Sequence, residues 1–370
     1  MRKRVIACVL VLLYLAGLWA SFGVTVAAEA VSPEAFADDF IEDKPPRWFF
    51  PRLYRAAYAL KGVKQTNFFN DSLLIYRDGR LIYEWYAKGW DKDTAHFVNS
   101  VTKSVVSALT GIAIAEGKIE SIDQKVIDFY PDAVIAPGQE CKRDITIKNL
   151  LTMTSGLPGD SDKDHVKWWE APDTGKAAFE CPQAREVNSE FTYSSGPSMQ
   201  VLACLVSRAV GENLFEYAKK KLFGPLGMDS VTWETAADGN NYGGFGISMT
   251  PRDMLRFGLL YLNGGIWEDE RIIPEQWIEE GRPGRNDLTI YGYLFWKPDF
   301  LSAEKAYEAR GALGQFVSVI PEKDTVIVRT GSAGPVLRGV NKAAGDNFEK
   351  WLLPILPLKG IPLEFFRGLL

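Results

Sequence analysis

A serine and a lysine that lie three residues apart, Ser100 and Lys103, precede a segment of the chain without charge. From 104 to 115, small residues mix with Val, Ile and Leu, which is typical of a helix buried on all sides. Residues three positions apart share one face of a helix, so the hydroxyl and the amine can meet. Burial and the positive end of the helix dipole both lower the proton affinity of a lysine in the first turn. The spacing therefore predicts an acylating serine with a lysine base.

The same residues also allow a purely structural interpretation. Asn99 and Ser100 are both favourable N-cap residues, so Ser100 could simply cap the helix while Lys103 reaches the solvent. The Ser-x-x-Lys pattern is short, and a second copy occurs at 302–305 in a polar stretch. The choice between nucleophile and cap therefore depends on motifs further along the chain.

Other kinds of chemistry find less support in the sequence. There are two histidines, His96 and His165, and no serine lies in a Gly-x-Ser-x-Gly pattern, so a nucleophile elbow is absent. The sequence has no His-Glu-x-x-His pattern, no P-loop and no dinucleotide fingerprint, so we expect neither a metal nor a cofactor. The formal net charge of −5 gives no reason to expect a nucleic acid as partner.

Strand patterns occur at both ends of the chain. Residues 72–87 form two largely apolar strand patterns on either side of Asp78-Gly79, which predicts a hairpin with a two-residue turn. Three later strands are predicted at 291–296, 306–319 and 325–330. The pattern predicts an α+β fold with one antiparallel sheet built from both chain ends, flanked by helices, and an inserted, mainly helical subdomain.

The interval between the strands has clear helix signals and one long loop signal. Helices are predicted at 145–151, 198–210, 214–222 and 251–262. Residues 158–192 are rich in Asp, Lys, Pro and Gly and contain Trp168 and Trp169. A long irregular segment of this kind is often a binding loop. The alternative is that the two tryptophans only pin the loop to the surface.

The N-terminus indicates export. The basic residues MRKR precede an uncharged run that ends in small residues, so 1–28 is interpreted as a signal sequence or, alternatively, a membrane anchor. Residues 29–47 are predicted to be a linker, and 351–370 form an apolar tail interrupted by prolines. An exported protein can oxidise a pair of thiols, and Cys141 and Cys181 are the candidate disulfide because they flank one loop-rich region.

Six motifs follow one another along the chain: SVTKS at 100–104, LLTMTSGL at 150–157, FTYSSG at 191–196, FGPLGM at 223–228, GGFGISMTPRDMLRFGLLYLNGG at 243–265 and GALGQ at 311–315. Together they resemble the class C β-lactamase-related serine hydrolases over roughly residues 70–330. Within that family they resemble the esterase and amidase branch that includes aminohexanoate-dimer hydrolase. The resemblance implies a fold like that of β-lactamases and penicillin-binding proteins.

The resemblance also implies roles for single residues. Ser100 would be the nucleophile, Lys103 would assist proton abstraction, and Tyr193 would belong to the acid/base apparatus. The family motif Tyr-x-Asn has Ser195 at its third position here. Further candidates for substrate contact are Trp168, Trp169 and Tyr242.

The third family motif, Lys-Thr-Gly or a variant, falls by position at 312–314. The cation that helps to bind the carboxylate of β-lactams is absent there. The resemblance places the oxyanion hole at the backbone N–H groups of Ser100 and Gln315, and Gly314 would let the substrate approach the backbone.

The sequence thus predicts an exported serine hydrolase that cleaves an ester or amide of a small molecule through an acyl-Ser100 intermediate. It would be periplasmic or attached to the outer side of the inner membrane, with membrane association through its N-terminal segment. The hydrolase domain is predicted at 48–350, with an α/β part at about 48–118 and 285–350 and a helical part at about 119–284. One alternative is a D-amino-acid peptidase, penicillin-binding or β-lactamase-type enzyme. A second alternative is a non-catalytic binding member of the fold.

Overall fold

The computed structural model describes residues 70–162, 167–284, 290–298 and 305–332. The predictions for 1–28, 29–47 and 351–370 lie outside these residues, as do His165 and Ser302. None of the described helices is long and apolar enough to cross a membrane.

A five-stranded antiparallel sheet joins the two ends of the described chain, and its strands from one edge to the other are Arg80–Tyr86, Ser72–Arg77, Thr325–Thr330, Gln315–Ile320 and Tyr307–Gly311. Ser72 in the first strand lies opposite Thr330 in the last, which confirms the sheet predicted from both chain ends. The strands are β1 (Ser72–Arg77), β2 (Arg80–Tyr86), β3 (His96–Phe97), β4 (Thr232–Trp233), β5 (Ile247–Met249), β6 (Ile266–Trp267), β7 (Glu270–Arg271), β8 (Tyr307–Gly311), β9 (Gln315–Ile320) and β10 (Thr325–Thr330).

Two strand predictions are wrong in detail. The stretch 306–319 forms two strands instead of one, because the chain turns between β8 and β9, where Leu313 and Gly314 have φ angles of 67° and 90°. The stretch 291–296 forms isolated bridges, Tyr291 with Trp296 and Trp296 with Glu308, instead of a continuous strand. Leu294 has a φ of 63°, so this segment bends back on itself beside the edge strand β8.

Seven α-helices are described, and two of them pack on one face of the sheet. The first helix is buried from Val101 to Ala113, as the uncharged sequence from 104 onward predicts. Gly258 lies so close to the sheet that a Cβ atom there would stand 2.6 Å from Val326, so a larger residue would push the helix away. The helices are α1 (Val101–Ala115), α2 (Ile147–Leu151), α3 (Thr174–Glu180), α4 (Pro197–Val210), α5 (Leu214–Ala218), α6 (Pro251–Leu262) and α7 (Glu275–Gly281).

The helix ends follow their capping residues. Helix α6 begins after Thr250, whose hydroxyl accepts from the N–H of Asp253 while that aspartate accepts from the N–H of Thr250. Helix α4 ends at Gly211, which has a left-handed φ of 76°. The predicted helices at 198–210 and 251–262 are therefore confirmed.

The predicted loop 158–192 and the predicted helix 214–222 both need correction. The loop contains the short helix α3, which Asp173 caps by accepting from the N–H of Lys176, and a 3₁₀ turn at Trp168–Glu170. Helix α5 continues as the π-helical turn Lys219–Phe223. The short capped elements in 158–192 were hidden because their sequences are rich in loop-forming residues.

Cys141 and Cys181 are free thiols in the structure, so the predicted disulfide is wrong. The Sγ atom of Cys181 points back along α3 and donates to the carbonyl of Ala177 at 3.5 Å. The ammonium of Lys142 donates to the carbonyls of Phe179 at 2.8 Å and of Cys181, so it satisfies the end of α3. Lys142 thus binds the C-terminal end of α3, in the region where a disulfide was predicted.

Candidate active site

Ser100 lies immediately before α1 and has helical backbone angles, φ −72° and ψ −2°. It occupies the N-cap position, but its side chain makes no capping hydrogen bond to the helix, so the interpretation that Ser100 only caps the helix is wrong. Its hydroxyl instead accepts a hydrogen bond of 2.7 Å from the Nζ atom of Lys103. The preceding Asn99 has a φ of 51°, and its amide donates to the carbonyls of Phe97 and Ala312.

Lys103 is buried, with 1% of its surface exposed, so the idea that it reaches the solvent is also wrong. Its Nζ atom lies 2.7 Å from Ser100 Oγ, 2.9 Å from Ser195 Oγ and 2.8 Å from the carbonyl oxygen of Gly244. Burial lowers the pKa of Lys103 from its usual 10.5 to about 7, and the nearby negative charge of Asp160 partly opposes this. An amine with this pKa is available as a base near neutral pH.

Two glycines bring the carbonyl of Gly244 to the lysine. A Cβ atom on Gly243 would lie 2.0 Å from the carbonyl oxygen of Met199, and one on Gly244 would lie 2.0 Å from that of Ser195. Any side chain at these positions would therefore push the Gly-rich turn away from the start of α4. The 243–246 motif thus positions one of the three partners of Lys103.

Tyr193 lies beside this pair, with its ring centroid 4.8 Å from Lys103 Nζ. Burial raises the pKa of Tyr193 to about 12, and the neighbouring hydroxyls of Ser100 and Ser195 oppose that rise without reversing it. The side chain therefore stays a phenol at neutral pH, able to donate a proton. The structure brings together Ser100, Lys103, Tyr193 and Ser195, as the resemblance implies.

Asp160 belongs to the same group but was not identified from the sequence. Its carboxylate accepts from the N–H of Ser195 at 2.6 Å and from the Ser195 hydroxyl at 2.7 Å. Its own N–H donates to the carbonyl of Tyr193 at 2.9 Å. Gly159 permits this approach, because a Cβ atom there would lie 2.4 Å from Thr192. The sequence signal that could have identified Asp160 is its carboxylate three residues after the 150–157 motif, together with Ser195 in place of the family's asparagine.

The turn between β8 and β9 meets the start of α1. A Cβ atom on Gly311 would lie 2.2 Å from the carbonyl oxygen of Val98, so only glycine allows the contact. The carbonyl of Ala312 accepts from Asn99 at 3.0 Å. Ala312 is exposed and lies in the turn that contacts the residues before Ser100. The turn therefore adds the Ala312 N–H as a candidate oxyanion donor that sequence reasoning missed.

The predicted donor Gln315 and the predicted contact Gly314 occupy the other end of this turn. Gln315 is 2% exposed, pairs with Gly311 across the sheet, and donates through its side chain to the carbonyl of Gly331. Gly314 has a left-handed φ, and a Cβ atom on it would lie 2.9 Å from the guanidinium of Arg329. Packing therefore gives a reason for glycine at 314, and the oxyanion role of Gln315 stays a prediction.

A cluster of aromatic rings packs beside Tyr193. Tyr193 contacts Trp296 and Tyr291 at centroid distances of 5.4 and 6.3 Å, and Phe191 packs on both of these rings. The segment 290–298 thus supplies a wall beside the phenol. Tyr242, a predicted substrate contact, is half-buried and stacks on Phe245 at 4.8 Å.

The two tryptophans in the segment 158–192, which was predicted to be a loop, differ in their exposure. Trp168 is buried, and its ring lies 3.5 Å from the Cβ position of Gly196, just after the FTYSS residues. Trp169 is 36% exposed and meets Trp168 edge to face at 5.7 Å. Trp168 therefore supports the wall of the site from behind. Trp169 has the exposure that a substrate contact requires.

Other candidate groups lie elsewhere. His96 is buried, stacks on Trp90 at 4.3 Å, and bonds the Thr330 hydroxyl and the Thr94 carbonyl at 3.1 Å each. These contacts give it a structural role in joining the start of the site to the sheet. Within the described ranges, no three His, Cys, Asp or Glu side chains converge as metal ligands would.

Comparisons with known proteins agree with this geometry. The sequence pattern of the beta-lactamase family matches residues 56–342. The 6-aminohexanoate-dimer hydrolase of Paenarthrobacter ureafaciens is 24% identical over 291 residues, which cover 71% of this chain and 72% of the relative.

Two solved structures share the fold. The octameric penicillin-binding protein homologue from Pyrococcus abyssi has a TM-score of 0.61 at 19% identity, covering 83% of this chain and 78% of that one. EstCE1, a hydrolase with promiscuous acyltransferase activity, has a TM-score of 0.64 at 17% identity, covering 80% of this chain and 98% of that one. At these identities the structural likeness establishes the fold alone.

Proposed function

Because the chain belongs to the beta-lactamase family and is a hydrolase related to 6-aminohexanoate-dimer hydrolase, we propose that it is a serine hydrolase whose Ser100 is acylated by an ester or amide. The observation that carries the proposal is the 2.7 Å hydrogen bond between Ser100 and the buried amine of Lys103. A serine hydroxyl is a weak nucleophile until a base removes its proton. Lys103, with a pKa of about 7, can be that base near neutral pH.

Acylation begins when neutral Lys103 takes the proton of Ser100 Oγ as this oxygen attacks the substrate carbonyl carbon. The carbonyl oxygen then becomes an anion. The N–H of Ser100 stands at the positive end of α1 and supplies one donor, and the N–H of Ala312 or Gln315 supplies the second. One such donor typically contributes about 3 kcal/mol to the transition state.

Tyr193 completes the proton transfer. As the bond to the leaving group breaks, the phenol gives its proton to the departing oxygen or nitrogen, and Lys103 returns its extra proton to the phenolate. The acyl-enzyme then has a neutral lysine, so Lys103 can take a proton from a water molecule that attacks the acyl carbon. Protonated Lys103 then gives this proton to Oγ as the bond between Oγ and the acyl carbon breaks, which restores the hydroxyl of Ser100 and the neutral amine.

The walls of the site favour a neutral or cationic substrate with apolar parts. Tyr193 and Trp296, which are half-buried, offer aromatic surface to an alkyl or aryl group, and the buried ring of Tyr291 packs against both. The exposed carboxylate of Asp160 would repel a substrate carboxylate placed near Ser195. This charge, together with the missing cation at 312–314, favours a simple ester or amide over a penicillin or a peptide with a free carboxylate.

The first test treats the protein with a fluorophosphonate probe and measures turnover of p-nitrophenyl acetate and butyrate. We expect one adduct, which mass spectrometry places on Ser100. Ser100→Ala should lose both the adduct and turnover, and Lys103→Ala should lower the rate of labelling about 10²–10⁴-fold. A folded protein that stays unlabelled and hydrolyses no ester would refute the chemistry and favour a binding protein.

A fluorescent penicillin in the same assay tests the alternative enzyme class. The charges of the site predict little labelling where the fluorophosphonate labels fully. Efficient, saturable labelling of Ser100 by the penicillin would replace the esterase and amidase proposal by a penicillin-recognising enzyme. This outcome would leave the nucleophile unchanged.

Export is a separate proposal that rests on the pattern of residues 1–28. Sequencing the N-terminus of the protein made in cells would test it. A mature chain that begins at Glu29 supports a cleaved signal sequence, and an intact N-terminus in the membrane fraction supports an anchor. An intact chain in the cytosolic fraction would contradict both.

A further inference from the structure

The hydrogen-bond count around Lys103 changes with the protonation state of its amine. A lysine ammonium has three N–H donors, and the three oxygens within 2.9 Å of Nζ can accept all of them. A neutral amine has two N–H donors and one electron pair. One of its three neighbours must then donate a hydrogen to that electron pair, or the pair has no partner.

Two of the three neighbours are unable to donate. The carbonyl of Gly244 carries no hydrogen. The hydroxyl of Ser195 has a single hydrogen, and it donates that hydrogen to the Oδ2 atom of Asp160 at 2.7 Å. Ser195 Oγ can therefore only accept from Lys103. Ser100 alone remains, so its hydroxyl points its hydrogen at the amine that must remove it.

The carboxylate that fixes this arrangement is itself held at several points. The Oδ1 atom of Asp160 accepts from the N–H of Ser195 at 2.6 Å, and its own N–H donates to the carbonyl of Tyr193 at 2.9 Å. Two residues later, Asp162 accepts from the N–H of Gly159 at 2.7 Å and from the guanidinium of Arg185 at 2.7 and 3.0 Å. The loop that holds the Asp160 carboxylate is thus anchored on both sides.

On the basis of the proposed function, we propose that Asp160 is a positioning residue, which acts through Ser195 to turn the electron pair of neutral Lys103 toward Ser100. A carboxylate is suited to this because its oxygens accept hydrogen bonds and do not donate them. An amide could turn its NH₂ group toward Ser195 Oγ. The serine hydrogen would then be free to donate to Lys103 and to compete with Ser100 for the electron pair.

A charge effect alone predicts a smaller loss of rate at high pH than the orientation effect does. The charged and titratable side chains described around Lys103 are Asp160 and Tyr193, and the phenol stays neutral below about pH 12. Asp160 raises the pKa of Lys103, so removing its charge increases the fraction of free amine at a given pH. If charge were its whole contribution, Asp160→Asn would acylate faster than the wild type at low pH, and its plateau at high pH would fall only by the small factor that the weaker base implies.

The test is the pH profile of the burst rate with p-nitrophenyl butyrate for the wild type and Asp160→Asn. We expect the acidic limb of the variant to move to lower pH while the plateau above it falls about tenfold or more, as for a misdirected base. Asp144→Asn, which alters an exposed pair with Lys125, is the matched control and should leave the profile unchanged. An unchanged plateau in Asp160→Asn would overturn the proposal.

A double-mutant cycle checks that the effect passes through Ser195. Ser195→Ala removes the hydroxyl, so adding Asp160→Asn to it should lower the plateau by less than about twofold more. Independent, multiplying losses would overturn the proposal, and Ser195→Thr, which keeps a hydroxyl, should restore most of the plateau. All variants should retain the stoichiometric Ser100 adduct after long exposure to the fluorophosphonate. Loss of that adduct in the wild type would instead refute the proposed function.

Discussion

The rate of acylation should depend on pH as the protonation of one buried lysine does. The pKa of Lys103 is lowered from 10.5 to about 7 because its ammonium is removed from water. This displacement corresponds to about 5 kcal/mol of preference for the neutral amine. At pH 7 about half of the molecules carry the free base, compared with fewer than about one in a thousand for an ordinary lysine. Burial thus increases the concentration of base about a thousandfold.

The expected profile follows from these populations. Between about pH 6 and pH 8 the burst rate with p-nitrophenyl butyrate should rise about tenfold and then level off, because the amine is already mostly neutral. An ordinary lysine would give about a hundredfold rise over the same interval and no plateau below about pH 10. Stopped-flow measurement of the burst separates acylation from the later release of the acyl group.

A variant of the neighbouring phenol serves as the control. The pKa of Tyr193 is about 12, so the titration of this phenol does not change the rate within the pH range measured. Tyr193→Phe should therefore lower the plateau and leave the acidic limb where it is. A wild-type rate that still rises tenfold per pH unit at about pH 9 would refute the assignment of Lys103 as a base near neutrality.

Three further predictions concern stability and reactivity. The folded state holds Lys103 with fewer protons than the unfolded state between about pH 7 and 10.5, so the free energy of unfolding should rise with pH in that window. Lys103→Met should therefore raise the Tm relative to the wild type more at pH 6 than at pH 10. An equal rise of the Tm at both pH values would contradict the conclusion that burial disfavours the charged amine. Gly244→Ala places a methyl group 2.0 Å from the carbonyl oxygen of Ser195. This variant should lose about 1–3 kcal/mol of the free energy of unfolding, measured by chemical denaturation, and most of its rate of acylation. Wild-type values of both quantities would contradict the close packing at Gly244. A thiol reagent should modify half-buried Cys141 in the native protein and buried Cys181 after denaturation, and a protein that yields both thiols only after reduction would contradict the free-thiol assignment.

The sequence correctly predicted the elements whose stabilising contacts join residues only a few positions apart. Ser100 and Lys103 are three residues apart, and the hairpin turns at Asp78-Gly79, so short spacing was enough for both. The capped helix after Thr250 is likewise complete within a few residues. The predicted sheet from both chain ends followed from the order of these signals along the chain.

The missed features depend on distant contacts or on rare backbone conformations. Asp160 meets Ser195 across 35 positions, and no spacing rule connects them. Leu313 adopts a positive φ, which a leucine seldom does, so the turn that divides 306–319 was not readable from its residue types. Cys141 and Cys181 flank one region, but spacing does not reveal that the sulfur of Cys181 points back toward Ala177.

The pairing of β1 with β10 also has a consequence for the newly made chain. The hydroxyls of Ser72 and Thr330 meet at 2.6 Å although 258 positions separate them, so the sheet closes only when nearly all of the described chain is present. Contacts of such long range form slowly during folding. Until they form, Lys103 remains hydrated and protonated, and the turn at Ala312 has no place beside Ser100. If Ser100 is the nucleophile, as proposed above, we expect it to become reactive only after β10 has joined the sheet.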